Sequence, residues 1–600
     1  MSGTKFLFAG YDANFNQGLW VSDGTAAGTQ ELIPAGTNGN LAPSSLVSDN
    51  GVVLFSAMNK AGVFGLWTSN GTSAGTQEIT VAGASSAGLL PSGLTTYNGK
   101  VYFQASDAAN ARGLWVSDGT SGGTTEITVN GAASFGVNPT DLTVVGTTNG
   151  QRLAFGGSDA NGNTGLWISN GTTGGTQEIY AGSATGGVVP QEITALSTTE
   201  FLFAGFDASG NNELFVSNGT AAGTKELTGI KGAAVGSDFV SRGGNTVVLG
   251  GRAIFAAYDN TSSNAGLWTS DGTASGTHEI AVSGASTDLG LEPGNFVQFG
   301  TLALFSGFDA ADHDGLWVTD GTSAGTHELV GISGANANFS PSGMTAVGGL
   351  VYFSALDAAG LQSLWVTDGT ASGTHEIVPT SNVDTSGLAP SSFAVLTLAC
   401  FAAGTRLATA DGEIPVEAVT EGTVMQTADD VSMPAVWIGS RTIDCTRHSD
   451  PARVWPVRIC AGAFGPGRPA RDLYLSPDHA VFAEGVLIPV RHLVNGTTIV
   501  QVPRPRVTYY HVELAHHAVL LAEGLACESY LETGQRGSFA NGGAMVALHA
   551  DFAVRAREAG ACAPFALAGA AVDRVRALLG ARAKGLSRSE AASGEVRTAA

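Results

Sequence analysis

Apolar positions along the first four hundred residues fall in short alternating runs, each closed by Gly, Asn or Asp. In one stretch SSLVSD (Ser44 to Asp49) is followed by VVLFSA (Val52 to Ala57), then GLWTS, then TQEIT. Alternation of apolar with small or polar residues over five or six positions predicts half-buried β-strands, and the intervening Gly, Asn and Asp predict turns. The group then recurs. The phrase L-W-x-[ST]-[DN]-G-T-x-x-G-T-x-E-[IL] first appears as GLWVSDGTAAGTQEL at Gly18 to Leu32, and its later copies begin at Gly65, Gly113, Gly165, Glu213, Gly266, Gly315 and Ser363. Its spacing of 47 to 53 residues, with four strands per period and no helical pattern, predicts a blade of a β-propeller. In each copy the [DN]-G step predicts a tight hairpin, because Gly takes positive φ without steric cost.

The ends of this region predict how it closes. Repeat one begins at its second strand, KFLFAGYD, and lacks a first. LAPSSFAVLTL (Leu388 to Leu398), after repeat eight, parallels LAPSSL at Leu41 to Leu46. A C-terminal strand completing the N-terminal blade accounts for both irregularities and removes the open sheet edge. The expectation is therefore eight blades in a closed ring. An open β-solenoid is the alternative, but it does not predict the displaced strand.

Two series run through the repeats. Trp20, Trp67, Trp115, Trp167, Trp268, Trp317 and Trp365 occupy one equivalent place, with Phe215 in the fifth copy. Large rings at a repeated position are expected to pack between blades; a ring of sugar-stacking sites is the competing reading. Asp12, Asp107, Asp159, Asp207, Asp259, Asp309 and Asp357, with Asn59, form the second series. Asp or Asn opening a loop is expected to bond its own backbone. Calcium needs several converging oxygens, and the D-G-T-x-x-G segment supplies few, so calcium stays the lesser reading and no cofactor is otherwise expected. This part of the chain, from Lys5 to about Leu398, resembles bacterial proteins named for the ELWxxDGT repeat, a name that carries no activity.

Charge divides the chain at the same place. Residues 1–400 hold 9 Lys plus Arg against 31 Asp plus Glu, and residues 401–600 hold 19 against 20, so almost all of the net −23 lies on the repeats. That balance argues against nucleic acid or an anionic membrane as partner. The ligand of the propeller, a glycan or a protein, is left open. MSGTKFLFAGYDANF is no secretory signal, and the apolar stretch Cys562 to Val572 is too short to span a bilayer. The expected location is extracellular or at a bacterial cell surface, reached by a route not visible at the N-terminus.

All five cysteines, Cys400, Cys445, Cys460, Cys527 and Cys562, lie in the last third. An odd number without a C-x-x-C pair is neither a disulfide framework nor a zinc site. From Cys400 the texture changes to CFAAGTRLATADGEIPVEAV, then LYLSPDHAVFAEGVLIPV (Leu473 to Val490) and YYHVELAHHAVLLAEGLACESYL (Tyr509 to Leu531). These blocks resemble the Hedgehog/Intein (Hint) autoprocessing superfamily, over about Cys400 to Asn541, and more closely a bacterial subgroup. The resemblance implies an all-β domain that cuts the Ala399–Cys400 bond. A thiol attacks the preceding carbonyl best, giving a thioester, and the departing amine needs a proton from a nearby imidazole. Residue by residue, it implies Cys400 as nucleophile, His479 as general acid and Ser476 as the hydroxyl that orients the peptide. His517 takes the place of the late-block His, with His516 beside it as the alternative.

The chain also departs from that pattern. Inteins end in His-Asn, whereas Leu525-Ala526-Cys527-Glu528-Ser529 stands here, so splicing is not expected. His511 stands where inteins often have Asp. Cys527 is either the resolving thiol or a packed one, and Cys445 with His448 is a second pair, a metal pair or packing. Beyond Asn541, DFAVRAREAG and AVDRVRALLGARAKG have helical spacing with basic residues on one side, expected to be solvated, before a frayed tail. The expected domains are 1–399, 400–545 and 546–600: an eight-bladed propeller, a Hint domain and a short helical tail, all-β apart from the last.

Two functions compete. In one, the Hint domain cleaves itself from an acidic propeller. In the other, an adhesin- or lectin-like propeller carries an inert cap. Cys400 follows Leu398 by two residues without a Gly/Ser/Pro linker, which favours a cut that releases a finished ring.

Overall fold

The computed structural model describes residues 5–395 apart from loop positions 36, 38, 50, 51, 181, 183, 184, 242–244, 262, 263, 348, 349, 381, 382 and 385, then 400–445, 454–529, 563, and 572–583 except 573. Eight four-stranded antiparallel sheets form the repeat half. Blade 2 runs from Ser44–Asp49 through Val52–Met58 and Phe64–Ser69 to Gln77–Ile79. Blade 1 is built from both ends of the repeat half: Ser391–Val395 pairs with Phe6–Tyr11, ahead of Gln17–Ser22 and Gln30–Leu32. The first strands of the eight blades neighbour one another in a ring, and Ser391–Val395 meets Ser44–Asp49 to close it. The displaced strand thus sits where the sequence places it, although its last residues, 396–398, lie outside the described positions.

Alternation in the middle strands does not mean half-burial. Val53, Leu54, Phe55 and Ala57 are all inaccessible, because a neighbouring blade covers each face. Every Trp of the series is buried, as is Phe215. Each ring packs on the preceding blade: Trp67 lies with Leu7, Leu19 and Leu32 of blade 1, and Trp365 with Leu304 and Leu316 of blade 7. Trp20, Trp167, Trp317 and Trp365 also donate from Nε1 to the carbonyl ten residues back, at 2.8 to 3.2 Å. Rings so enclosed have no face left for a sugar.

The D-G-T-x-x-G segment is a braced loop rather than a tight hairpin. Paired strands end at Ser22 and resume at Gln30. Between them Asp23 Oδ1 accepts from the Thr25 amide at 2.9 Å, and Thr25 Oγ1 accepts from the Gly28 amide at 2.9 Å. A Cβ at Gly28 would fall 1.9 Å from Asp23 Oδ1, which is why the second glycine recurs. The Asp12 series serves its own loops: Asp12 Oδ1 accepts from the amides of Asn14 and Asn16, both at 2.8 Å. Among the described residues no group of three or more His, Cys, Asp or Glu is arranged to hold a metal ion. No helix there is long and apolar enough to cross a membrane.

The C-terminal third is a second, mostly β unit. The long strand Ser432–Asp444 pairs along Arg506–Leu514, whose other edge takes Phe401–Ala402. Phe401, Leu475, Val481, Ile488, Val512, Leu520 and Cys527 fill its core. Val572, Val575 and Leu579 of the short C-terminal helix (residues 572–583) enter that core as well. The basic residues of the helix lie on its other side, where Arg574 Nε donates to Glu484 at 3.0 Å and Arg576 Nε to the His492 carbonyl at 2.8 Å, and Leu578 is exposed as well. The DFAVRAREAG segment and the tail after Ala583 lie outside the described residues.

Candidate active site

Phe401 pairs with Leu475 on one side and Tyr510 on the other, so the chain beginning at Cys400 is threaded between two strands of the domain. That register sets Cys400 against Ser476. The Ser476 amide donates to the Cys400 carbonyl at 2.9 Å, and the Cys400 amide donates to Ser476 Oγ at 2.7 Å. Ser476-Pro477-Asp478-His479 is a tight turn in which the His479 amide donates to the Ser476 carbonyl at 3.1 Å. Its far side is held by Arg491, whose amide donates to the Pro477 carbonyl at 3.0 Å and whose guanidinium pairs with Asp478.

The turn delivers the His479 ring into the interior, 4.2 Å from the Phe401 ring and 6.1 Å from the His511 ring. Neither ring nitrogen of His479 has a hydrogen-bond partner among the described residues. Burial drives its pKa down to about 3, opposed by the nearby backbones of Glu528 and Cys400 and assisted by His517. His511 is pushed well below its usual value, chiefly by burial and then by His479 and His517. Both rings are therefore neutral at pH 7.

Cys400 is buried, and its side chain packs with Ala402, Trp437, Ile443, Cys445, Val454 and Tyr509. Burial pushes its thiol up to about 12; Arg441 acts against this, while Asp478 and Glu528 add to it. The imidazole lies by the Cys400 backbone, and the thiol belongs to an apolar cluster with the buried Arg441 close enough to act on it.

Of the two adjacent histidines, His517 is buried, with Nε2 3.8 Å from Glu528 Oε2, and His516 is exposed and close to Asp429. The late-block histidine that faces the site is His517. Cys527 lies in the core, its thiol raised by burial. Cys445 is a packed thiol beside Cys400, and Cys460 is half-exposed. Ala399, His448 and Cys562 fall outside the described residues.

Sequence reasoning assigned no role to Glu528, Arg441 or Arg491. The Glu528 carboxylate is buried; one oxygen accepts from the Ala480 amide at 2.6 Å and the other faces His517. A carboxylate at the end of the apolar run GLACE was the available signal. Arg441 is buried in the long strand opposite Tyr509, and its pKa is lowered by burial.

Residues 399–534 match the family described as Hint domain. The protein is an eight-bladed propeller followed by a Hint domain, and the match of this domain is consistent with a general self-processing role. No curated protein matches the chain. Among solved structures it is similar to one from a study of two prolyl endopeptidases, with 14% identity, 62% of this chain and 54% of that one covered and a TM-score of 0.39. A puromycin-hydrolyzing peptidase from Mycobacterium tuberculosis gives 11% identity, 72% and 61% coverage and a TM-score of 0.36. The chain spans less than two thirds of either peptidase. The MchDnaB-1 intein gives 14% identity, 22% of this chain and 99% of the intein, with a TM-score of 0.17.

Proposed function

We propose that the chain cuts itself at Ala399–Cys400 through a thioester and does not splice, releasing an acidic propeller of the ELWxxDGT-repeat kind. Cys400 Sγ attacks the Ala399 carbonyl carbon. As the C–S bond forms, the C–N bond breaks, and the thiol proton passes through His479 to the departing Cys400 nitrogen. Water or an added nucleophile then takes the acyl group and returns the thiol. The Cys400 thiol and the His479 imidazole are both neutral at pH 7, which suits this order, since the ring accepts a proton before donating one.

The observation that carries the reading is the 2.7 Å hydrogen bond from the Cys400 amide to Ser476 Oγ, made beside a buried imidazole whose two nitrogens have no hydrogen-bond partner among the described residues. Buried polar atoms are nearly always satisfied, and an exception in a native fold asks for a functional reason. The stretch Leu525-Ala526-Cys527-Glu528-Ser529 stands where inteins have His-Asn and contains neither residue, so nothing there supports release on the far side.

One observation favours the inert cap: the Cys400 thiol sits among apolar side chains with its pKa raised to about 12, as a structural thiol would. Mass measurement of the purified chain, alone and with dithiothreitol or hydroxylamine, separates the two. Self-cleavage yields one fragment ending at Ala399 and another beginning at Cys400, and Cys400→Ala stays whole. A wild-type chain that remains intact after prolonged treatment establishes the cap.

A further inference from the structure

The turn that carries His479 is braced from the propeller. Arg491 stands in the short helix Val490–Leu493, and its guanidinium reaches in two directions. One nitrogen pairs with Asp478, next to His479, and another lies 3.5 Å from Asp49 Oδ1 of blade 2. Asp49 is almost wholly buried in that contact, with 2% of its side chain accessible. The neighbouring His492 covers Gly99, at the hairpin of blade 3, so closely that a Cβ there would fall 2.3 Å from His492 Cε1. The Hint domain therefore sits on the face where the first and second strands of these blades turn.

Asp49 also adjoins the seam that closes the ring. Ser48 donates its hydroxyl to the carbonyl of Val395, in the strand Ser391–Val395 that completes blade 1. The Ser48 carbonyl accepts from Thr96 Oγ1 of blade 3 at 3.0 Å. Blades 1, 2 and 3 thus meet at Ser48, and the seating of the last strand bears on the residue beside Asp49. The chain from Val395 leads directly to the Cys400 junction.

We propose that Arg491 is a positioning residue that couples closure of the propeller to self-cleavage, with Asp49 as its propeller-side anchor. An unclosed ring leaves Asp49 out of place, the guanidinium loses its second hold, and the Ser476–His479 turn drifts from the scissile amide. Cleavage then follows completion of the ring and does not release an unfinished one. The proposal rests on the self-cleavage reading above.

The test uses the full chain and the rate of cleavage in saturating hydroxylamine for wild type, Asp49→Asn, Asp49→Glu, Arg491→Gln and the Asp49→Asn/Arg491→Gln double variant. Displacing a catalytic group by a fraction of an ångström to an ångström typically costs up to about a hundredfold. Asp49→Asn and Arg491→Gln should each slow the cut by about tenfold or more, and the double variant should be no slower than the worse single one. Asp49→Glu, which keeps the charge, should restore most of the rate, whereas Asn keeps only the shape. Propeller unfolding midpoints should match wild type. Equal rates in wild type and Asp49→Asn, additive losses in the double variant, or a Glu variant as slow as Asn would overturn the coupling while leaving self-cleavage intact. A wild-type chain that never cuts would remove both.

Discussion

The amide nitrogen of Cys400 and the hydroxyl of Ser476, 76 residues apart, are joined by a buried 2.7 Å hydrogen bond. That nitrogen belongs to the peptide bond expected to break. In the proposed mechanism Ser476 is a clamp on that amide, and its neighbour in the same turn, His479, carries the proton. Replacing Ser476 with Ala strands a buried N–H, a loss of about 1–3 kcal/mol. It should slow cleavage by about ten- to a hundredfold. Ser476→Thr keeps the oxygen and should cut near the wild-type rate. Fragment yield over time on a denaturing gel distinguishes them, and an Ala variant as fast as wild type would dismiss the clamp.

Buried imidazoles should make the protein sensitive to acid. His479 and His492 are held down at about 3, both mainly by burial, and His511 lies well below its ordinary 6.5. An unfolded chain binds protons at these sites as pH falls below about 6.5, and the folded chain does not. Stability of the Hint domain should thus be flat above about pH 7 and fall toward pH 3, by up to about 1.4 kcal/mol per pH unit for each such histidine. Urea midpoints across this range test it. His492→Gln, which removes one of the three, should shallow the slope.

Propeller carboxylates whose pKa burial raises titrate with the opposite sign, Glu213 among them. Most copies of the repeat have Gly where the fifth has Glu213, whose pKa is raised to about 7 by burial first and then by Glu226, Asp207 and Asp238. The folded chain holds this proton more tightly than the unfolded one, so stability is lost as pH rises from about 4.5 to about 7. Glu213→Gln should raise the propeller's melting temperature at pH 8 and do so much less at pH 4. A variant that melts at or below the wild-type temperature at pH 8 would contradict the crowding.

Much of this could be read along the chain. The missing first strand at Lys5 and the surplus LAPSSF copy specified ring closure, because a strand without a partner is costly wherever it occurs. Ser476 and His479 were singled out through the resemblance to Hint domains, and both stand on one tight turn. The choice between His516 and His517 was not legible, since both stand in the bend between Arg506–Leu514 and Val519–Ala522 and only the packed fold says which one is inside. Nor was the Asp49–Arg491 contact, which spans 442 residues and depends on how two units meet. The braced D-G-T loop was misjudged for a local reason. Its length is set by side-chain bonds from Asp23 and Thr25, which a Gly-centred turn rule does not count. In the C-terminal helix the basic residues drew attention to the wet side, although Val572, Val575 and Leu579 already had the spacing of a buried face.

The last prediction separates the proposed chemistry from that of an ordinary cysteine. An exposed thiol reacts as thiolate, so its rate climbs about tenfold per pH unit until its pKa near 8.5. Here burial holds the Cys400 thiol protonated up to about 12 and the His479 imidazole neutral down to about 3. Between those limits neither group changes its protonation state, and in the proposed mechanism the proton moves from thiol to ring as the C–S bond forms. The rate of cleavage should therefore be nearly level from about pH 6 to about pH 9, when read in enough hydroxylamine that raising its concentration has no further effect. Iodoacetamide at pH 8 should leave Cys400, Cys445 and Cys527 of the folded Cys400-intact chain unmodified while labelling the half-exposed Cys460. His479→Ala should slow the cut by about 10²- to 10⁴-fold and leave its residual rate rising with pH, because hydroxide must then do what the ring did. A steep wild-type profile with a midpoint near 8.5, together with rapid alkylation of Cys400, would show a solvent-open thiolate and rule out proton transfer through His479.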